Sequence, residues 1–328
     1  MSPDEPIRVG TAPGPELEVT RLGAAVHRLH VTVDGERRNV VLGHPTAADR
    51  LASSSYLGGT IGRYANRIAH GRFPLDGREV VVGTHDRGNS LHGGPDGFDR
   101  RLWDVVSQGP DELVLSLASP DGDQGFPGTL AATVRYGVSG DVVRIEMTAT
   151  TDAPTVVNLT NHAYFNLAGE GSGTVDGHRL VVEADEYTPV DATGIPLGEH
   201  APVEGTPFDL REATPIGAAV RRDHPQVVDA RGIDHNYVVR GTGLRPHATL
   251  RADGIRLRLR SDQPGLQVYT ANALDGTQPG TSGGRYRQGD GVALEPQLFP
   301  DSPNRPAWPS PVLRPGETYR HTIEWDFG

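Results

Sequence analysis

The chain has 328 residues and a formal net charge of −11, and all 31 of its basic residues are arginine, since it contains neither lysine nor cysteine. These absences exclude Schiff-base lysines, P-loop lysines, thiolate nucleophiles and disulfides. The acidic balance disfavours nucleic acid as a partner. No apolar run approaches the roughly 20 residues that a membrane span needs, so we expect no membrane association either.

A two-residue period dominates the chain and predicts strands joined by tight turns. In chain order, we expect hairpin turns between segments of alternating polarity at Asp76-Gly77, Gly140-Asp141, Asp253-Gly254 and Pro315-Gly316. Beyond the last of these turns, four residues at alternate positions predict a closing strand; they are Tyr319, His321, Ile323 and Trp325.

Helical periodicity is weak along the whole sequence. The best candidate helix has Thr214 as its N-cap and Pro215 at its first position, and it runs to about Arg222. Glycine (42 residues) and proline (27 residues) are frequent, and no composition break or linker divides the chain. These features predict an all-β fold, a large antiparallel β-sandwich or barrel with few short helices, in a single domain spanning residues 1–328.

Six dense polar clusters punctuate the predicted strands. They read GRYANRI (62–68), NSLHGG (89–94), NLTNHAYFNL (158–167), GIDHNY (232–237), QPGLQVYTAN (263–272), and LEPQ (294–297) followed by FPDSPN (299–304). In this order and at this spacing, the clusters resemble the aldose 1-epimerase (galactose mutarotase) family. The resemblance covers about Tyr56 to Asn304, which is most of the chain.

The resemblance implies a fold, a reaction and a substrate class. The fold is a single large β-sandwich (a galactose mutarotase-like supersandwich) with an open sugar-binding cleft, in agreement with the two-residue period. The reaction is a cofactor-independent isomerisation that interconverts the α and β anomers of free aldohexoses such as galactose and glucose. The implied partner is therefore a small aldohexose, and we expect no metal and a monomer or homodimer.

Anomer exchange by ring opening needs one base and one acid. The C1 hydroxyl loses a proton while the ring oxygen gains one. By resemblance, Glu295 is the base and His162 is the acid. The apolar residues before Glu295 indicate burial, which would raise the pKa of its carboxyl. The alternatives are a surface glutamate, and a core histidine packed by Tyr164 and Phe165.

Five further residues match sugar-binding positions of the family. Asn66 and Arg67 would bind sugar hydroxyls, and His92 would lie on the side of the ring oxygen. Asp234 would accept hydrogen bonds from hydroxyls, and Gln267 alternates with apolar neighbours and points to one face of a strand. The alternatives are a surface ion pair for the arginine, a loop histidine, and an aspartate that stabilises a turn.

Three other functions stay open. A hexose-phosphate 1-epimerase of the same superfamily would need a basic cluster, which Arg63, Arg67 and Arg72 could supply. A non-catalytic carbohydrate-binding β-sandwich would need aromatic platforms, and only 6% of the residues are aromatic. A glycosidase would need a second carboxylate, for which Asp234 is the candidate. The opening residues lack the basic and apolar regions of a signal peptide, so we expect a cytoplasmic location.

Overall fold

The computed structural model describes residues 5–328, which form 29 β-strands and three short α-helices. The first four residues of the predicted domain lie outside the described residues. The helices are α1 (Ala47–Ala52), α2 (Ile216–Val220) and α3 (Pro225–Ala230). Within residues 5–328, no helix has the length and apolar character that crossing a lipid bilayer requires. The predicted all-β fold with few short helices is confirmed.

The strands are short and follow one another at close intervals. The first thirteen in the described chain are β1 (Ile7–Val9), β2 (Glu16–Thr20), β3 (Ala25–Val33), β4 (Glu36–Asn39), β5 (Thr60–Ile61), β6 (Arg67–Ile68), β7 (Arg72–Leu75), β8 (Arg78–Val81), β9 (Ser90–Leu91), β10 (Asp104–Gln108), β11 (Glu112–Ser119), β12 (Leu130–Ser139) and β13 (Val142–Thr151). The next eight are β14 (Thr155–Val156), β15 (Thr160–Asn161), β16 (Tyr164–Phe165), β17 (Arg179–Val182), β18 (Ala184–Tyr187), β19 (Ala201–Pro202), β20 (Thr214–Pro215) and β21 (Asp234–Val239). The others are β22 (Arg245–Ala252), β23 (Ile255–Ser261), β24 (Gly265–Tyr269), β25 (Asp275–Pro279), β26 (Arg285–Arg287), β27 (Val292–Gln297), β28 (Val312–Leu313) and β29 (Tyr319–Asp326).

Two large sheets dominate the architecture of residues 5–328. The larger has nine strands in the order β10-β11-β12-β13-β29-β23-β22-β17-β20, and the smaller has six in the order β16-β27-β24-β21-β18-β19. Strands β1 to β4 form a third sheet, and five two-stranded pairs complete the fold: β5 with β15, β6 with β9, β7 with β8, β14 with β28, and β25 with β26. The strand pairings in these sheets are antiparallel.

The main hydrophobic core lies between the nine-stranded and six-stranded sheets. It contains Leu257 and Trp325 from the larger sheet, and Leu266, Val268 and Leu294 from the smaller. Because side chains alternate between the two faces of a strand, the residues between these apolar positions point away from the core. The outer face of the six-stranded sheet is therefore where β21, β24 and β27 present their polar side chains.

The predicted hairpins at Asp76-Gly77, Gly140-Asp141 and Asp253-Gly254 are present as β7–β8, β12–β13 and β22–β23. The hairpin predicted at Pro315-Gly316 is wrong. Strand β28 pairs with β14, whereas β29 is inserted between β13 and β23. Both edges of β29 are occupied by these neighbours, so no edge remains for β28.

The predicted helix from Thr214 to Arg222 is shorter than expected. Thr214 and Pro215 form β20, in which Thr214 pairs with Leu180, and the helix starts only at Ile216. Pro215 takes an extended conformation (φ −60°, ψ 128°), and no side chain within residues 5–328 caps the start of the helix. The two residues that the sequence pattern assigned to the start of the helix therefore belong to a strand of the nine-stranded sheet.

Candidate active site

A cavity of about 540 Å³ lies on the outer face of the six-stranded sheet. All seven residues that the sequence singled out line this cavity: Asn66, Arg67, His92, His162, Asp234, Gln267 and Glu295. They come from distant parts of the chain, four of them from strands β6, β21, β24 and β27 and three from residues directly beside a strand. The fold thus brings the whole predicted set together around one space.

Three of these residues stand on adjacent strands of the six-stranded sheet. Asp234 begins β21, Gln267 lies in β24 and Glu295 lies in β27. Gln267 is the direct cross-strand partner of Glu295, and its Nε2 donates a 2.6 Å hydrogen bond to Oδ1 of Asp234. The alternation of each strand buries the intervening apolar residues and turns all three polar side chains toward the cavity.

Asn66 and His92 are held at the end of the β6–β9 pair. The backbone N–H of Asn66 donates to Nδ1 of His92 at 3.1 Å, and the N–H of His92 donates to the carbonyl of Asn66 at 3.1 Å. Both residues adopt left-handed conformations, with φ of 64° and 50°. Since Nδ1 of the neutral imidazole accepts a hydrogen bond, its Nε2 carries the proton and is a donor. Burial lowers the pKa of His92 well below its usual value, and the nearby His162 lowers it further.

His162 follows β15 and is fixed through its backbone. Its N–H donates to the carbonyl of Gly59, and its carbonyl accepts from the N–H of Gly58. The imidazole stacks between Tyr56, at a centroid distance of 5.8 Å, and Tyr164, at 4.9 Å. Tyr164 therefore packs against His162 as the sequence suggested.

Phe165 does not pack against His162, which corrects the alternative in which both Tyr164 and Phe165 pack around this histidine. It makes an edge contact with Trp325 at 5.1 Å, because consecutive residues of β16 point to opposite faces.

His162 and Glu295 form a buried pair. Nε2 of His162 lies 3.5 Å from Oε1 of Glu295, and the two side chains are 4% and 2% exposed. Within residues 5–328, Nδ1 of His162 and Oε2 of Glu295 have no hydrogen-bond partner. Burial, reinforced by the charge of Asp234, raises the pKa of Glu295 well above its usual value. Burial lowers the pKa of His162 to about 4.

Two residues of the site, Asp86 and Tyr56, were not identified from the sequence. Asp86 accepts a 2.7 Å hydrogen bond from Nε of Arg67, and Tyr56 covers one face of His162. Arg67 is itself buried, so its ion pair is not the surface pair considered as an alternative. The Arg87-Gly88 dipeptide was the available sign of a tight turn beside Asp86, but it does not reveal the contact with Arg67.

One trio of ligand types meets in the cavity. Single ligand atoms of His92, His162 and Glu295 lie within 4.8 Å of one another. A tetrahedral zinc ion with bonds of about 2.0–2.1 Å holds its ligand atoms roughly 3.4 Å apart. His92 moreover has its Nδ1 engaged by Asn66, so its Nε2 is a proton donor rather than a metal ligand. The trio therefore fits proton transfer and hydrogen bonding to a ligand better than it fits a metal ion.

The basic cluster considered for a phosphate does not form. Arg63 is buried away from the cavity against Ser119, and Arg72 pairs with Glu79 on the surface. Among the described residues, three arginines line the cavity, Arg67, Arg87 and Arg231, beside five carboxyl side chains, Asp86, Asp191, Asp229, Asp234 and Glu295. An excess of carboxyl groups disfavours a phosphorylated ligand.

Comparison with known proteins agrees with this geometry. The aldose 1-epimerase family model matches residues 7–326. Human galactose mutarotase is 43% identical over 317 residues, which cover 95% of this chain and 90% of the human one. The aldose 1-epimerase of Escherichia coli (strain K12) is 42% identical over 301 residues, which cover 90% of this chain and 86% of that protein.

Solved structures show the same architecture. An aldose epimerase homologue from C. elegans is 31% identical and superposes with a TM-score of 0.91, covering 98% of both chains. The galactose 1-epimerase of Lactobacillus acidophilus is 30% identical with a TM-score of 0.87, covering 98% of this chain and 93% of its own. The match of sequence and fold over nearly the whole length shows that this chain belongs to the aldose 1-epimerase family.

Proposed function

We propose that the protein is an aldose 1-epimerase that interconverts the α and β anomers of free aldohexoses such as galactose and glucose. The observation that carries the proposal is the buried pair of His162 and Glu295, whose polar atoms face the cavity with few partners. Relatives at 42–43% identity bear the names galactose mutarotase and aldose 1-epimerase. A cavity with five carboxyl groups suits the hydroxyls of a neutral sugar, which are good hydrogen-bond donors.

The pair holds one exchangeable proton. It exists either as a protonated carboxyl with a neutral imidazole, or as a carboxylate with an imidazolium, and both forms are neutral overall. Burial disfavours any state with net charge, so it stabilises the singly protonated pair against gain or loss of a proton. The ion-pair form supplies a base and an acid in the same place.

In this mechanism, Glu295 accepts the proton of the C1 hydroxyl while His162 donates a proton to the ring oxygen. The bond between C1 and the ring oxygen breaks, its electron pair goes to the ring oxygen, and the C1 oxygen becomes an aldehyde oxygen. After rotation about the C1–C2 bond, the same two protons move back and close the ring on the other face. Each positioned proton-transfer group contributes about 10²- to 10⁴-fold.

The other cavity residues bind and orient the sugar in this proposal. Arg67 and Asn66 contact hydroxyls, and Asp234 accepts from a hydroxyl while Gln267 holds its carboxylate. His92 donates from Nε2 on the side of the ring oxygen, in keeping with the neutral state that burial imposes on it. These contacts hold the ring so that C1 lies beside the Glu295–His162 pair.

Polarimetry tests the proposal directly. Freshly dissolved α-D-glucose and α-D-galactose are followed with wild-type protein, with the Glu295→Gln variant and without protein. We expect wild type to bring the optical rotation to its equilibrium value faster than the buffer does, and the variant to follow the buffer. Equal rates for wild type and buffer with both sugars would contradict the function. Acceleration with α-D-glucose 6-phosphate alone would instead support the hexose-phosphate alternative.

Four broader features of the proposal come from the sequence and the fold. We propose a single domain, which the main core supports because it includes residues from Ile7 to Trp325. We further propose a cytoplasmic monomer or homodimer that does not bind nucleic acid, in keeping with the net charge of −11. Size-exclusion chromatography with light scattering checks the oligomeric state.

A further inference from the structure

We propose that Asp86 is a positioning residue that holds Arg67 away from Asp234 and so keeps both groups available to the sugar. The inference deepens the proposed function and rests on it. Its starting observation is that the cavity contains a guanidinium and a carboxylate that do not pair. Among residues 5–328, no ion pair within 4.0 Å joins Arg67 to Asp234, although both line the same cavity.

Two contacts fix the guanidinium of Arg67. On one edge, Nε donates to Oδ2 of Asp86 at 2.7 Å. On its face lies the backbone of Gly194, where an added Cβ would sit 2.8–2.9 Å from Nη1, Cζ and Nε. The two Nη groups have no hydrogen-bond partner within residues 5–328, so they remain free for a ligand.

Asp86 is itself held in a defined place. It starts a tight turn in which its carbonyl accepts from the N–H of Asn89 at 2.8 Å. Arg87 and Gly88 at the centre of the turn have φ of 49° and 84°, the signature of a type I′ turn. Nη1 of Arg87 donates to the carbonyl of Ala192, which ties this turn to the loop that carries Gly194. The turn that carries Asp86 and the loop that carries Gly194, which both contact the guanidinium of Arg67, are therefore connected.

The charges explain why such an anchor is needed. Although burial alone would lower the pKa of Arg67, Asp234 and Asp86 together raise it, so both carboxylates attract the guanidinium. Burial alone would raise the pKa of Asp86, but the charge and hydrogen bond of Arg67 lower it, so Asp86 stays ionised. Without Asp86, the guanidinium of Arg67 would turn toward Asp234 and pair with its carboxylate. Neither group would then be free to bind the sugar.

The test compares Asp86→Ala in two backgrounds, wild type and Arg67→Ala, by polarimetry at varied galactose concentration. In the wild-type background we expect KM to rise about 10-fold, the effect of losing one charged hydrogen-bond contact, with kcat within about 3-fold of wild type. In the Arg67→Ala background the same change should alter KM by less than about 2-fold, because the residue on which Asp86 acts is gone.

Asp76→Ala is the matched control. Asp76 also stands in a hairpin turn and also pairs with an arginine, Arg314, but neither of these residues lines the cavity. We expect this variant to have wild-type kinetics. An unchanged KM for Asp86→Ala in the wild-type background would overturn the inference, as would an equal rise in KM in both backgrounds. Because these readings require an active wild-type enzyme, inactivity of the wild type would refute the proposed function instead.

Discussion

Nε2 of His162 lies 3.5 Å from Oε1 of Glu295, at the floor of the cavity where the outer face of the six-stranded sheet meets the segment after β15. The backbone on both sides of this contact is fixed. His162 is held by Gly58 and Gly59, and Glu295 by the register of β27 against β24. The separation slightly exceeds an ordinary hydrogen bond. Because the ring oxygen and the C1 hydroxyl oxygen are both bonded to C1, two side-chain atoms this close together can each face one of these oxygens of a single sugar.

The first prediction concerns loss of either member of this pair. Glu295→Gln keeps the size of the side chain but removes the base, and His162→Asn keeps a donor but removes the proton that ring opening needs. Each should lower kcat at least about 100-fold, the lower range for one general acid or base. The double variant should lose much less than the product of the two effects, since both groups serve one coupled step.

Glu79→Gln is the matched control for this prediction, because Glu79 is an exposed glutamate paired with Arg72. It should turn over as wild type does. Near-normal kcat in Glu295→Gln, with an unchanged circular-dichroism spectrum, would place the base elsewhere and make Asp234 the next carboxylate to replace.

The second prediction concerns pH. Activity needs the singly protonated pair, and burial lowers the pKa of His162 to about 4 while raising that of Glu295. As the pH falls toward 4, the pair takes up a second proton and loses its base. As the pH rises through the elevated pKa of Glu295, the pair loses its only proton. The profile of kcat/KM should therefore be bell-shaped, with its alkaline limb displaced above the pH at which an ordinary glutamate titrates.

The acid limb distinguishes this account from its alternatives. We expect it near pH 4, and a stopped-flow or polarimetric profile from pH 3 to 9 measures it. A limb near the ordinary histidine pKa of about 6.5 would show that burial does not govern the imidazole.

The third prediction concerns sugar binding. Arg67→Ala and Asp234→Ala each remove one charged partner of the hydroxyls, and neither touches the proton-transfer pair directly. We expect KM to rise about 10- to 100-fold, with a smaller change in kcat, if these contacts are equal in the ground and transition states. Steady-state kinetics with galactose and glucose decide the matter, and wild-type values in both variants would place the two residues outside the binding mode.

The fourth prediction concerns metal ions. Ring opening by a base and an acid needs no Lewis acid, and His92 has its Nδ1 engaged by Asn66. Exhaustive treatment with EDTA should leave kcat and KM unchanged. If EDTA abolished activity and one divalent metal ion restored it, that result would contradict the acid–base mechanism. The trio of His92, His162 and Glu295 would then be the candidate metal site.

Much of this fold could be predicted because its turns are local. Asp76-Gly77 and Asp253-Gly254 favour tight hairpin turns, and both residues of each pair have positive φ in the structure. The lining of the cavity by Glu295 and its companions also followed from the sequence, through resemblance to the family. The positions of β28 and β29 did not follow, because strand pairing between distant segments leaves no mark in a local pattern.

Within the site, too, contacts between distant segments could not be predicted from a local pattern. Asp86 meets Arg67 only because the β6–β9 pair and the turn before β9 fold back on each other, and this contact has no local signature. Tyr56 reaches His162 across more than a hundred residues of chain, and its backbone has a φ of 59°. Residues whose role depends on contacts with distant segments of the chain are thus the ones that cannot be identified from the sequence alone.

The position of β29 has a consequence for biosynthesis. This strand leaves the ribosome after both of its neighbours, β13 and β23, and must enter between them. It also holds the segment before His162, since Leu159 donates its N–H to the hydroxyl of Tyr319 and its carbonyl contacts Nδ1 of His321. The nine-stranded sheet therefore cannot be completed before β29 is translated, and the two contacts of Leu159 with this strand form only after that point.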